Sequence, residues 1–509
     1  MSAGRLHYFP EPSLSFGSGQ ILESAKDGLF LFGPLQEGKI QGALRYGVIG
    51  TSDGIKHFAK WRSSVRGFIP SPTEASTQYR PFPGFINVFG VDFPEQPICA
   101  LPIDAKAIDE SLRIGNRQLA IHQTVTLFLE PIQRYLTEEE DTVDLWFVVI
   151  PEQVYTFGRP NSSVPVSQRS QTDSLIDGKL ARALASTPSL FEVDNQAAEA
   201  YYYEKNFHNQ LKARLLEGPH RPVIQIVRET SIAPDAILRP DGRPVRRLQD
   251  PATVAWNLCT TAYFKACGRP WKLARVRKGV CYVGLVFKQL VDSISEGFAC
   301  CGAQMFLDSG DGLVFKGAVG PWRSKESLEY HLSSESAREL ITMVLDAYTK
   351  THLRPPQELF IHAPYSFNDA EWSGFLSAVP QSTRLVGVRI RSTNSLKLFR
   401  AGPNPVARGI AYLQTGRAGF LWTRGYVPYL KTYPGRENPN PLRIDITRGP
   451  GEIETVLEDI LNLTKLNYNA CLYGDGFPVT LRFADAVGEI LTAGPVQKNQ
   501  PPLPFKHYI

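Results

Sequence analysis

The sequence predicts an α/β protein made of two consecutive blocks, and three observations predict it. Apolar, strand-like runs alternate with helical patterns from about Gln36 to Arg275, which implies a parallel sheet in a Rossmann-like layer sandwich. A second block starts at Gly279 with strand-like runs around a Gly310-Asp311-Gly312 turn, followed by helices and further strands, the order of an RNase H-like fold. Of 509 residues, 43% are hydrophobic and 21% charged, which excludes a disordered, fibrous or disulfide-stapled chain. At about 150 residues per domain, more than one core fits.

The elements follow in order. Arg5 to Gly19 is short and Pro-punctuated, and DGLFLFGP (Asp27 to Pro34) reads as a strand and a turn, together an arm that joins a sheet formed elsewhere. RYGVIGT is a strand, SDG a turn, and IKHFAKWRSSV a helix with Ile55, Phe58, Ala59 and Trp61 near helical spacing. DLWFVVIPE is apolar throughout, as a strand buried on both faces requires. A helix over Ala197 to Leu216, the strand PVIQIVRE and the helix ATVAWNLCTTAYFKAC, stopped at Gly268, complete the block. The Ser-, Pro- and Arg-rich stretch from Gly158 to Ser189 reads as a solvated loop. In the second block VCYVGLVFKQ and FACCGAQMFLDSGDGLVFKGAVG give a hairpin, SSESARELITMVLDAYTKTH a helix, ELFIHAP and RLVGVRIR strands, and Ala484 to Leu491 a last helix.

Charge and cysteine usage bound the partners. Lys+Arg 55 against Asp+Glu 50 gives +5, which permits a polyanion partner without requiring one. The seven cysteines form no CxxC pair, so neither a disulfide framework nor a zinc knuckle is suggested. The N-terminus lacks the basic and apolar regions of a signal peptide, and no run of about 18 apolar residues occurs. The expectation is a cytoplasmic chain, complete from Met1.

Four polar residues suggest a site. In NFHNQLKARLL, Phe207, Leu211 and Leu215 make a buried stripe while His208 and Lys212 stack one turn apart beside it. Gln225 interrupts the buried strand PVIQIV, and Lys265 lies in the last turn of the next helix. In a parallel sheet these converge at the carboxyl edge, where open α/β sheets bind ligands. The set describes a pocket for a terminal phosphate.

The segments HNQLK, PVIQIV, WNLCTTAYFKACGRPWKL, YVGLVFK, LTKLNYNACLYGDGFPVTLRFADAVGEIL and PPLPFKHYI together resemble the MID and PIWI domains of prokaryotic Argonautes. EPSLSFGSGQ and DGLFLFGP, with no room for separate N and PAZ domains, look like the short Argonautes. The resemblance implies an arm over 1–35 joining the PIWI sheet, a MID domain over 36–275 and a PIWI domain over 276–509. It implies a guide 5′-phosphate held by His208, Lys212, Gln225 and Lys265, with His208 in place of the usual Tyr. It also implies a magnesium ion beside that phosphate, held by the C-terminal carboxylate of Ile509 with Gln225, oxygen donors that suit a hard cation.

An active PIWI domain of this family cleaves with carboxylate-bound metal ions, because in-line displacement at phosphorus needs both oxygens neutralised. The first Asp position reads Val286, and the second falls at Ala363 and Pro364. Neither Val286 nor Pro364 can ligate a metal, and no Asp or Glu lies within one pleat of Val286 in sequence. Asp308 and Asp311 fall in the expected turn and Asp369 in an expected loop. The expectation is a PIWI domain that does not slice. Lys288, Lys316, Arg323, Lys325, Arg389, Arg391, Lys397 and Arg400 are candidates for backbone phosphate contacts.

Short Argonautes of this kind imply a partner carrying an APAZ domain fused to an effector. DLWFVVIPEQVYTFGRPNS and ACCGAQMFLDSGDGLVFKG are most similar to members paired with TIR-APAZ proteins, whose effector degrades NAD; sirtuin-like and nuclease effectors occur beside similar chains. The implied role is a prokaryotic immune system in which guide RNA pairs with invading single-stranded DNA and drives assembly and activation of the partner. Two rivals stand beside this reading. One is an active slicer. The other is a dinucleotide-binding enzyme suggested by RYGVIGTSDG, although Gly47, Gly50 and Gly54 lack GxGxxG spacing.

Overall fold

The computed structural model of the chain describes residues 4–37, 40, 42–72, 79–170, 176–289, 299–306, 312–319, 322–323, 329–433, 435, 437–495 and 502–509. The chain opens with strand β1 (Arg5–Tyr8) and helix α1 (Ala25–Phe32). The second is a correction, because DGLFLFGP was expected to be a strand. Ser24 caps the helix by accepting from the Asp27 amide at 3.3 Å, and the buried residues Ala25, Gly28 and Leu29 recur at helical spacing. A short apolar run does not distinguish strand from helix, and the cap decides it.

The next elements are β2 (Tyr46–Thr51), α2 (Ser52–Arg66), β3 (Cys99–Ile103), α3 (Ala105–Arg113), α4 (Arg117–Glu138) and β4 (Leu145–Ile150). After them come α5 (Gly178–Ser186), α6 (Glu192–Glu199), α7 (Phe207–Glu217), β5 (Ile224–Arg228), α8 (Glu229–Ile232) and α9 (Pro251–Lys265). The strands form one parallel sheet in the order β3-β2-β4-β5. β2 and β4 are central and buried at every residue, which is why both read as unbroken apolar runs.

Two expectations fail here. The stretch Ala197 to Leu216 is not one helix. α6 gives way to a 3-10 turn at Ala200–Tyr202, and Asn206 starts α7 by accepting from the Asn209 amide at 3.4 Å. The Gln118 side chain fixes that break by donating to the Ala200 carbonyl at 2.7 Å. The Gly158 to Ser189 stretch is not all loop either: it carries α5, capped by Asp177, while residues 171–175 lie outside the described residues.

The second half holds β6 (Val280–Gln289), β7 (Ala299–Phe306), β8 (Gly312–Val319), α10 (Ser334–His352), β9 (Glu358–Ala363), α11 (Asp369–Ala378) and β10 (Arg384–Ser392). It closes with β11 (Ile410–Thr415), β12 (Ala418–Leu421), β13 (Leu442–Arg448), α12 (Ile453–Leu463), α13 (Val479–Arg482), α14 (Ala484–Leu491) and β14 (Leu503–Pro504). A ten-stranded mixed sheet runs β1-β11-β12-β13-β10-β9-β6-β7-β8-β14. At its centre β6, β7 and β8 are antiparallel while β9 and β10 run parallel to β6. The β7–β8 pairing is present, and the Gly310-Asp311 turn with Asp308 lies outside the described residues. Asp369 is a correction: it is the first residue of α11, not a loop residue, and its carboxylate meets Arg448 at 2.5 Å.

The two faces of β6 enter different cores. Cys281, Val283 and Leu285 pack with α10 residues such as Leu340 and Val344, whereas Val280 and Tyr282 join a cluster that extends through α9 and α14 to the parallel sheet. The two outermost strands of the large sheet come from opposite stretches of the chain, residues 5–8 and 503–504. The first is anchored at Glu11, whose carboxylate bridges buried Arg408 at 2.8 Å and Lys465 at 2.8 Å.

Candidate functional site

The four candidate residues gather along one side of β5, and their placement corrects the expected edge. Gln225 is the second residue of β5, paired with Phe147 of β4, so the cluster sits toward the amino end of the strand instead of its carboxyl edge. β5 is the outer strand of its sheet. The Val223 carbonyl accepts from Trp146 of β4 at 2.9 Å, so the next carbonyl, Ile224, faces away from the sheet. Lys265 satisfies it, donating from Nζ at 2.9 Å. α9 brings Lys265 there because it runs back along the sheet from Pro251, with Asp250 as its cap.

Lys212 lies on α7 and donates from Nζ to the main-chain oxygens of Tyr508 at 3.0 Å and Ile509 at 2.8 Å. The tail over residues 502–509 is packed: Phe505, Tyr508 and Ile509 are all buried and Leu503 pairs with Val314. Lys212 and Lys265 are 3% and 1% exposed, and among the described residues no Asp or Glu side chain pairs with either. Burial pushes Lys212 down to about 7, and burial with the neighbouring Lys212 charge holds Lys265 well below its ordinary value.

His208 opens onto solvent in a recess crowded by protein. Its Nδ1 lies 3.1 Å from Asn209 Oδ1, and Asn209 Nδ2 donates to Glu204 Oε2 at 3.0 Å. Desolvation first, then Lys212 and Lys265, hold His208 down at about 3, so the ring is neutral at neutral pH. A nearby dianion would offset the Lys212 and Lys265 charges and favour the protonated ring. Gln225 Nε2 donates to the Ile226 carbonyl at 3.1 Å, leaving Oε1 buried without a partner.

His507 was not among the sequence candidates. Burial and the charges of Lys506, Lys265 and Arg221 hold it at about 4, and its Nδ1 is buried and unpartnered. Nothing in its local pattern marks it, because only tail packing brings it beside Lys265. The whole cluster is cation-rich and short of anions. As for a metal, among the described residues no cluster of three or more His, Cys, Asp or Glu side chains could hold one. The orphaned Gln225 oxygen and the Ile509 main-chain oxygen are nevertheless the oxygen donors a hard cation takes.

The second candidate region centres on β6. Val286 is buried and faces Gly302 of β7, while Gly284 pairs with His362 of β9. Continuing that parallel register by two residues brings exposed Pro364 alongside Val286. The two positions thus share one end of adjacent strands, and both side chains are apolar. Sequence proximity missed the acids that do approach: Lys288, on the Val286 face, pairs with Asp485 at 3.3 Å and Glu489 at 3.4 Å of α14. These carboxylates raise the Lys288 pKa against its partial burial.

The other basic candidates are dispersed. Arg389 pairs with Asp445 at 2.8 Å and donates to Ser366 at 3.0 Å, Lys397 donates to the Asn438 carbonyl at 3.3 Å, and Arg400 lies over the Tyr426 ring at 5.9 Å. Arg391 is exposed opposite Arg443. Lys325 and the side chains of Lys316 and Arg323 lie outside the described residues. The turn after β2 does not form a phosphate cradle: the Glu229 carboxylate accepts from Thr51 Oγ1 at 3.1 Å and sits where a Cβ at Gly54 would fall, 2.6 Å away. An acid at that helix start repels the pyrophosphate a dinucleotide enzyme would need there.

No protein-family model and no curated protein sequence matches the chain. Solved structures do. The Clostridium butyricum Argonaute bound to a guide DNA and a 19-mer target DNA superposes with TM-score 0.60 at 15% identity, over 99% of this chain and 55% of that one. The A. aeolicus Argonaute matches with TM-score 0.55 and 12% identity when carrying externally bound siRNA, over 99% of this chain and 56% of that one. A further A. aeolicus Argonaute structure matches with TM-score 0.53 and 13% identity, over 97% and 53%. The chain spans about half the length of these proteins. It has an Argonaute-like fold.

Proposed function

We propose that this chain is the guide-binding subunit of a short-Argonaute immune system, with a MID domain over 36–275, a PIWI domain over 276–509 and an arm over 1–35. The observation that carries the reading is the pair of buried, acid-free lysines, Lys212 and Lys265, beside His208 and the unpartnered Gln225 oxygen. Two buried ammonium groups that share no anion but the Ile509 terminus beside Lys212 are short of counter-charge, which is costly, and a 5′-phosphate would supply it. Charge-assisted bonds contribute about 1.5–3 kcal/mol each, so two or three select phosphorylated ends. Magnesium, held by Gln225 Oε1 and the Ile509 carboxylate, would neutralise part of the phosphate charge. Purification followed by sequencing and end analysis of bound nucleic acid tests the reading: short RNAs with a 5′-phosphate, lost on Lys212→Ala with Lys265→Ala, support it. Absence of such RNAs from the unaltered protein refutes it.

In this reading the chain pairs guide RNA with complementary single-stranded DNA and does not cut it. Val286 and Pro364 supply no carboxylate, and Asp485 and Glu489 are already engaged by Lys288. A cleavage assay with magnesium or manganese is expected to give no product. The chemistry then belongs to a cytoplasmic APAZ partner, a TIR NADase first, a sirtuin-like or nuclease effector as the alternative, switched on by assembly with target-bound copies. Target binding can drive that switch only through contacts that differ between the two states. Loss of NAD upon adding guide and matched DNA to the two-chain complex identifies the TIR case, and an unchanged partner under every arm ends it.

A further inference from the structure

A second basic site stands apart from the phosphate pocket. A cavity of about 680 Å³ opens between the C-terminal half of α2, α8 and the start of α9, floored by Trp61, Ile232 and Val254 and rimmed by Arg243, Arg246 and Arg247. That volume falls in the range of small-ligand pockets, about 300–1,000 Å³. Arg243 lies in a built hairpin, and Arg246 and Arg247 follow directly after it. Leu238 bridges Pro244, the Arg239 amide donates to the Arg243 carbonyl at 2.8 Å, Gly242 takes φ +76°, and Arg239 Nη2 donates to the Val245 carbonyl at 2.7 Å.

Among the described residues no carboxylate bonds to the Arg243 or Arg247 side chain, and Arg246 reaches Glu152 only through Thr230, whose Oγ1 donates to Glu152 Oε2 at 2.9 Å. Arg246 itself donates to two neutral hydroxyls, Ser231 Oγ at 2.5 Å and Thr230 Oγ1 at 3.2 Å. Asp235 is the one acid lining the cavity. Nearby Arg228 spends its own charge on Glu152. An apolar floor with an aromatic ring, rimmed by three guanidinium groups of which Arg243 and Arg247 have no carboxylate bonded to them among the described residues, matches a molecule that has a flat base at one end and phosphate at the other.

We propose that this cavity is a second nucleotide-binding site, with the phosphates on Arg243, Arg246 and Arg247 and the base over Trp61. It is distinct from the guide pocket: Val254 and Lys265 lie eleven residues apart on α9, about 16 Å along the helix axis. It therefore stands whether or not the guide reading holds.

The test uses the full chain carrying Lys212→Ala and Lys265→Ala, so that the first pocket is silent, titrated with adenosine triphosphate by calorimetry. Saturable binding is expected, weakened at least tenfold by Arg243→Ala with Arg247→Ala, which are exposed hairpin positions. Ser64→Trp, which fills the cavity from α2, should weaken it independently. A 5′-hydroxyl deoxythymidine oligomer that competes with the nucleotide identifies a strand-borne ligand, and one that does not identifies a free nucleotide. No saturable binding, unchanged affinity in both variants, or inorganic phosphate competing as well as the nucleotide would each overturn the proposal.

Discussion

Two regions of this molecule bury lysine, and they differ in what surrounds the charge. At the root of the N-terminal arm, Lys465 is wholly buried yet meets Glu11 at 2.8 Å and the Glu23 carbonyl at 2.8 Å, with the Tyr473 ring 4.0 Å from its Nζ. On α7 and α9, Lys212 and Lys265 are equally buried and find only main-chain oxygens. The first arrangement is complete and holds two distant pieces of chain together. The second is short of counter-charge, with only the Ile509 terminus beside Lys212, and that difference separates a closed ion network from the pocket proposed for an anion. Lys288 gives a third case, a partly exposed lysine already neutralised by Asp485 and Glu489.

The comparison can be broken most directly at the incomplete site. Lys212→Ala with Lys265→Ala should reduce retention of a 5′-phosphorylated guide about 100-fold or more, since two charge-assisted bonds contribute about 3–6 kcal/mol. A filter-binding assay comparing 5′-phosphate and 5′-hydroxyl guides reads this, and equal loss for both ends would remove the phosphate from the argument.

At the complete site the expected effect is on stability. Glu11→Gln leaves Arg408 and Lys465 buried without their carboxylate, which should lower unfolding free energy by about 3 kcal/mol in urea denaturation. Guide end selectivity should stay as in the unaltered protein. A variant as stable as the original would show that the network is not what holds the arm.

The pH dependence sharpens the contrast further. Lys212 titrates near 7 in the folded chain against an ordinary 10.5, so between those values the unfolded chain binds more protons and stability rises with pH. The slope from one such group is at most about 1.4 kcal/mol per pH unit. Lys288 behaves oppositely: its pKa is raised, so its contribution is present below 10.5 and is lost as pH climbs through the folded value. Chemical denaturation of guide-free protein at pH 6.5, 8 and 9.5 should show a rise that Lys212→Met reduces and that Lys212→Met with Lys265→Met reduces further. The smallest effect is expected from Lys288→Ala, below about 1 kcal/mol on stability because the pair is partly exposed. A loss of several kcal/mol there would place Lys288 in the first class.

Much of the fold was legible because its signals are local. β2 and β4 read as buried strands from continuous apolar runs, and the helix expected near Ala484 to Leu491 is α14. α1 was misread since an eight-residue apolar helix and a strand look alike until Ser24 is recognised as a cap. The break between α6 and α7 was invisible because Gln118, more than 80 residues away, helps impose it.

The sequence by itself determined the residue types: which turns of helix carry His208, Lys212 and Lys265, and that Val286 and Pro364 cannot bind metal. Those are properties of side chains and of short-range spacing. Only the tertiary structure decided which charges are compensated, because Glu11 with Lys465, Lys288 with Asp485, and Lys212 with the main chain of Ile509 are each joined across long stretches of chain. It also placed the cluster proposed for a phosphate on the open side of β5 instead of the carboxyl edge, since the outward Ile224 carbonyl and Lys265 at the far end of α9 meet there. Burial and counter-charge are sums over all neighbours, and a linear pattern holds only the nearest of them.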